Sequence, residues 1–469
     1  MKDKYRYLSK NIFLFSLSGF VPKLLAFFLI PLYTSYLTTA EYGISDLINT
    51  TVCLLIPIFT LDIQDAVMRF ALDENYNKED VFSIGAQIVI KGTIIVTIGA
   101  FVLSFLPIKG LTNEYLFFVV ITYFITAANN VVSLFCRGID QVKSITVGSI
   151  LNSVIMLLSN IFFLTVLKWG LTGYLIANTL GSGVSLAYMF IRARLYRYVR
   201  LSVPAEVGYA MRAFSIPLIF SVLAWWVNNA SDRYFLSWMK GVSVSGVYAV
   251  AYKIPTILTT FQGIFAQAWS ISAVKEFDKN DSDGFIGNMY TLMNFAMVAL
   301  CSFVMVINIP LAKILYSNDF FIAWEYVPPL LISVVCNAMA LFIGSIFTAV
   351  KDTKTLAIST VAGAAANIAC NFVLIPFWGA YGAAIATLIG YGVTLLIRHI
   401  ILFKYIHMKI RWKRDLLCYV LLFLQMIIAV FGWKAIPIQC VFLILIILQY
   451  RKEAKKVVTL LYNKFPCRR

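Results

Sequence analysis

Residues 225–236 read WWVNNASDRYFL, so that Asn228, Asn229, Ser231, Asp232 and Arg233 stand together between long apolar runs. An ionisable group inside a membrane span costs about 2.5–3.5 kcal/mol on insertion scales, so it faces a polar cavity or a partner. On a helix, Asn228 and Asp232 share one face and Asn229 and Arg233 the next. Cations recur in similar settings: Lys23 directly after Pro22, Arg69, and Lys253 two residues before Pro255. Such groups are charge-assisted donors suited to phosphate oxygens. Asp62, Asp65 and Arg69 follow at i, i+3 and i+7, which predicts one helix face carrying all three. A second reading holds for Asp232 and Arg233, which near a helix end can pair with neighbouring helices or snorkel to water. Arg69 and Arg137 also sit where cations mark orientation. Pro22 and Pro217 are expected to bend the first helix of each half of the chain, as gates or as packing kinks.

The elements that must position these groups follow from composition. Of 469 residues, 61% are apolar and only 13% charged, with a mean hydropathy of +0.83. A soluble domain carries about twice that charged fraction. A helical span needs about 20 apolar residues, so fourteen spans use roughly three-fifths of the chain. The expected fold is an all-α polytopic membrane protein. Long unalternated apolar runs exclude a β-barrel. The first apolar segment is too long for a signal peptide and lacks its cleavage site, so it is expected to stay.

Helices are predicted near 11–36, 45–70, 82–106, 114–136, 145–167, 171–191, 213–237, 246–272, 286–308, 325–349, 355–377, 380–403, 415–433 and 435–450. With Met1 inside, inner segments hold about 30 of the 39 Lys and Arg, including RARLYRYVR (192–200) and KIRWKR (409–414). Outer segments hold Lys109, Lys168, Lys240, Lys313 and Lys434, and Lys23, Lys91, Arg233 and Lys253 lie within helices. This asymmetry places both termini in the cytoplasm. It also accounts for the net charge of +17 through topology and attraction to anionic lipids, without nucleic acid.

The chain repeats itself. KWGLTGYLIANTL (168–180) and FWGAYGAAIATLI (377–389) share W-G-x-x-G-x-x-x-A, with Asn160 and Asn371 before them. Small residues at this spacing let helices approach closely. A six-plus-six duplication is expected: an N-terminal lobe over 1–205, a C-terminal lobe over 206–405, and two appended helices with a basic tail over 406–469. Parallel repeats of this kind rock about a central substrate site.

Several chemistries are excluded. There is no phosphate-binding G-x-x-x-x-G-K-[ST] loop, and GSGVSL (181–186) lacks the third glycine of a dinucleotide loop. The eight cysteines are scattered without a CxxC pair, and His399 and His407 are eight apart in what reads as a basic loop. Neither pattern suggests a metal, and no cofactor is expected.

The stretches LIPIFTLDIQDAVMRF (55–70), SIPLIFSVLAWWVNNASDRYFL (215–236), GVYAVAYKI (246–254), FAQAWS (265–270) and NFVLIPFWGAYGAAIAT (371–387) resemble Wzx-type polysaccharide-unit flippases. These belong to the multidrug/oligosaccharidyl-lipid/polysaccharide exporter superfamily, and the resemblance runs over roughly 10–405. It implies export of an undecaprenyl-diphosphate-linked oligosaccharide to the outer leaflet of a bacterial inner membrane, for O-antigen, capsule or exopolysaccharide. It implies two six-helix lobes around a cationic cavity, and a polymerase with chain-length machinery as partners. Arg69, Asp232 and Arg233 match family positions; Asp62 and Asp65 do not. On the residues themselves, Lys23, Arg69, Arg233 and Lys253 are expected to bind substrate. Asp62, Asp65, Asn228, Asn229 and Asp232 are expected to line the cavity or couple to an ion. A multidrug cation exporter of the same superfamily is the alternative, and a membrane glycosyltransferase or polymerase a more distant one. The lysines within spans argue against a site for cationic drugs.

Overall fold

The computed structural model describes residues 25–106, 112–275, 277–451 and 453. Pro22 and Lys23 lie outside them. No strand occurs among the described residues. Ten described helices are long and apolar enough to cross a membrane, or eleven when one bent pair is counted as a span. The protein is a multi-pass all-α membrane protein.

The chain forms two compact units, Met1–Val227 and Asn228–Arg469. In the first, α1 (Ile30–Tyr36) leads into α2 (Thr39–Phe59), and then come α3 (Ile63–Ala71), α4 (Lys78–Ser104), α5 (Asn113–Gly138), α6 (Val142–Ile161) and α7 (Gly170–Arg192). The boundary falls inside α8 (Ala205–Lys240). The second unit continues with α9 (Val242–Ala251), α10 (Thr256–Lys275), α11 (Phe285–Val306), the short α12 (Asn308–Leu315), α13 (Val327–Ala349) and α14 (Thr353–Leu402). The last helices, α15 (Trp412–Ala429) and α16 (Ile436–Gln449), belong to this unit too.

Local chemistry explains the helix starts. Thr38 and Glu41 form a reciprocal capping box on α2, the Glu41 carboxylate accepting from the Thr38 backbone at 2.8 Å. Asn77 caps α4 and Thr112 caps α5. Outward-facing positions are apolar: Ile90, Ile94, Ile98 and Phe101 on α4 are each more than half exposed. Such a surface suits lipid, not water. By contrast α13, apolar all round, is the buried core helix of the second unit.

Between helices, small residues set the packing, as expected where lipid removes the hydrophobic drive. A Cβ on Gly363 would stand 2.7 Å from the Gly390 carbonyl, and one on Gly390 would stand 3.0 Å from that of Gly363. The same arrangement recurs in the first unit, where a Cβ on Gly181 would stand 2.9 Å from the Asn152 carbonyl. Asn160 and Asn371 are both fully buried, each eighteen residues from the start of its helix. Gly170 and Gly379 both turn the chain at φ +55°. The connection from Asn160 to Gly170 is two residues longer than its counterpart and contains a π-helix over Phe162–Val166.

Two expected helices are broken. Residues 45–70 do not form one helix, because Leu61 and Asp62 take φ +53° and +49° between α2 and α3. The face shared by Asp62, Asp65 and Arg69 is therefore corrected: only Asp65 and Arg69 remain one turn apart, on α3. Gly92 of α4 passes over this break, where a Cβ would meet the Phe59 carbonyl at 2.5 Å. The second break, at residues 252–255, divides the helix expected at 246–272 and bends it by 52°. Pro255 lacks the N–H that would continue the ladder. In α8, by contrast, the helix runs through Pro217 without interruption.

His399 lies in α14, not in a loop. It is 9% exposed, and its Nε2 is 3.0 Å from the Tyr290 hydroxyl. Arg398, counted with the inner segments by sequence, is also buried in α14. It donates to the Ala340 carbonyl at 2.6 Å and to Ser359 and Thr360, fastening α13 to both arms of α14, which the non-helical Gly379 divides into a helical hairpin.

Candidate functional site

The polar run on α8 is paired from within the second unit. Asp232 is 1% exposed. Its carboxylate accepts from the Tyr248 hydroxyl of α9 at 2.9 Å, from the Asn371 amide of α14 at 2.6 Å, and from the Thr387 hydroxyl. One turn earlier, Asn228 donates to the Thr360 carbonyl, and Ser231 lies against Asn367. The bilayer tolerates this face because neighbouring helices supply its partners. The Asn371 carbonyl oxygen, on the other side of its amide, is buried without a hydrogen bond among the described residues.

On the adjacent face, Asn229 and Arg233 are half-buried. The Arg233 guanidinium lies 5.1 Å from the centre of the Tyr252 ring and donates to the Asn229 carbonyl oxygen at 2.9 Å. Tyr391 donates to the Asn229 side chain at 2.8 Å. Lys253 follows Tyr252 in the break between α9 and α10, half-buried, and no ion pair involving it occurs among the described residues. Arg233 and Tyr252 thus form a cation–aromatic pair beside the Asp232 network, and Lys253 is the next residue along the broken span.

In the first unit, Asp62 is 1% exposed at the α2–α3 break. One carboxylate oxygen accepts from Gln64 at 3.2 Å, and the other has no partner among the described residues. Asp65 is half-buried and Arg69 exposed, with no ion pair between them.

Sequence spacing identified the faces of α8. It missed Tyr248, Asn367 and Thr387 as partners, although each is a polar residue inside an apolar run. No group of three or more His, Cys, Asp or Glu that could hold a metal occurs among the described residues.

A family described as "Polysaccharide biosynthesis protein" matches residues 8–271, more than half of the chain. The chain belongs to the polysaccharide biosynthesis protein family. Among solved structures, this family member is similar to the lipid II flippase MurJ in an inward closed conformation, with a TM-score of 0.69 at 14% identity over 95% of this chain and all of that one. It is similar also to an inward-facing multidrug-resistance MATE transporter of the MOP superfamily, with a TM-score of 0.63 at 14% identity, over 82% and 96% of the two chains. A MOP superfamily transporter from Pyrococcus furiosus, described as having a binding pocket of reversed polarity, follows with a TM-score of 0.55 at 16% identity, over 82% and 92%. At these identities the likeness establishes the fold alone. Among curated proteins none matches the sequence.

Proposed function

We propose that the protein is an alternating-access flippase for undecaprenyl-diphosphate-linked oligosaccharide units, moving them from the cytoplasmic to the outer leaflet of a bacterial inner membrane for surface polysaccharide assembly. A sugar headgroup loses several kcal/mol for each hydroxyl stripped of water in hydrocarbon, and a diphosphate adds about two negative charges. A wet, net-basic cavity substitutes for water while the polyprenyl tail stays in lipid.

Lys253 carries this reading. A half-buried ammonium in a broken span, without a carboxylate partner among the described residues, is matched to an anionic ligand. Lys23, Arg69 and Arg233 complete the proposed phosphate-binding set. Asp232, with Asn371 and Thr387, and Asp62 and Asp65 at the other break are the proposed groups for proton or sodium coupling. A membrane potential, negative inside, also favours the direction, by about 2.3 kcal/mol per negative charge moved outward per 100 mV. Surface-polysaccharide polymerase and chain-length proteins are the expected downstream partners, and both termini are assigned to the cytoplasm. An exporter of drug cations with the same fold would gain nothing from these cations.

Changing Lys23, Arg69, Arg233 and Lys253 together to glutamine should abolish surface polysaccharide while membrane protein levels stay normal. Unaffected polysaccharide in that strain would contradict the assignment.

A further inference from the structure

The first unit contains a second polar site, lined by Asn49 of α2, Thr122 and Thr126 of α5, and Asn178, Thr179 and Ser182 of α7. All three helices have the length and apolarity of membrane spans. The cavity holds about 90 Å³ of water-accessible space, room for about three waters at ~30 Å³ each. No ionisable side chain lines it.

Hydroxyls in spans usually bond back to their own helix. Here Thr51, Thr93, Thr97 and Thr146 do so, each to the carbonyl four residues earlier. Thr122 and Thr126 make no such bond, and Asn49 and the Ser182 hydroxyl are likewise without one among the described residues. Asn178 donates to the Tyr174 carbonyl at 3.0 Å, which leaves its amide oxygen unfilled, and Thr179 keeps its acceptor lone pairs.

The walls are held in place. Asn129 of α5 donates to the Ser182 carbonyl at 3.3 Å, the Trp226 indole donates to the Thr50 carbonyl at 3.0 Å, and Gly181 seats α7 against α6. The result is a set of preorganised, uncharged donors and acceptors that are open to a ligand or to water.

We propose that this cavity binds the polar edge of one neutral sugar of the transported headgroup, a few hydroxyls or an acetamido group entering it while the rest of the ring stays outside, so that the first unit reads the glycan while cations elsewhere hold the diphosphate. Uncharged amides and hydroxyls match sugar hydroxyls in both donor and acceptor roles. They offer no counter-charge to a phosphate or a drug cation, and drug-sized ligands need ~300–1,000 Å³.

This inference rests on the proposed flippase function, and one binding experiment separates the two. The full chain in nanodiscs is titrated with undecaprenyl diphosphate and with undecaprenyl-diphospho-hexose, -N-acetylhexosamine and -deoxyhexose. Wild-type protein should bind at least one glycosylated lipid about tenfold more tightly than undecaprenyl diphosphate. Thr122→Val with Thr179→Val, and separately Asn178→Leu, should erase that preference while undecaprenyl diphosphate binds as before, which also reports an intact fold. A wild type without preference, or variants that retain it, overturns the sugar site and identifies a cavity holding only water. Failure of the wild type to bind undecaprenyl diphosphate at all would instead overturn the flippase assignment, and the sugar site with it.

Discussion

Asp232 accepts hydrogen bonds from three side chains on two other helices. Its removal costs all three donors their bond to a buried charge, worth about 1.5–3 kcal/mol each, although Asn371, Thr387 and Tyr248 keep second partners in Asn367, the Ala383 carbonyl and Tyr252. Asp232→Ala is therefore expected to destabilise the protein by about 3 kcal/mol or more, measured by denaturant unfolding in detergent. Lys253→Gln should leave the same unfolding curve within about 0.5 kcal/mol, since a half-buried cation without a partner contributes little to the fold. Equal losses for the two would mean that Lys253 has a structural partner after all. The sequence made the faces of α8 legible, because 3.6-residue spacing decides which side chains share a side. It did not reveal who answers Asp232, since helical periodicity carries no information about which neighbour a face meets. Nor did it mark Arg398, whose burial depends on how closely α13 approaches the hairpin.

Each half of the hairpin in α14 was visible in sequence, and the turn between them explains why Gly379 is required. It adopts φ +55° and ψ −132°, a region nearly closed to residues with a Cβ, while the space around it is open. Gly379→Ala should cost about 1–3 kcal/mol from backbone strain alone, seen as a lower Tm. An unchanged Tm would show that the turn relaxes freely. At the start of α14, Asp352 accepts from the Thr355 side chain and backbone and from the Tyr405 hydroxyl, which hold its carboxyl below the usual carboxylate range. A depressed folded-state pKa contributes stability above the unfolded value and loses it as pH falls through the folded one. Acidification from about pH 5 to about pH 3 should lower the Tm of the wild type more than that of Asp352→Ala. Parallel curves would remove the cap from the account. The breaks at Asp62 and Lys253 were less legible. Pro255 warned of one, but α8 carries Pro217 without a break, and positive φ at Leu61 and Asp62 has no glycine to announce it.

For the molecule as a whole, composition alone gave the membrane class, and the W-G-x-x-G repeat anticipated the matched backbone at Gly170 and Gly379. What composition could not supply is the division of labour among polar groups. These are an internally satisfied carboxylate cluster on α8, a cation at a broken span, and an uncharged cavity in the first unit. On the proposed function, that division is what distinguishes a carrier of anionic lipid-linked sugar from a carrier of cationic drugs built on the same fold. The decisive measurement is flipping of undecaprenyl-diphosphate-linked sugars by the purified protein in liposomes, with and without an imposed potential. The account predicts protein-dependent transfer that accelerates when the compartment of origin is negative, and that is lost when Lys23, Arg69, Arg233 and Lys253 are replaced by glutamine. Transfer at the protein-free rate, or full transfer by the neutralised variant, would contradict it.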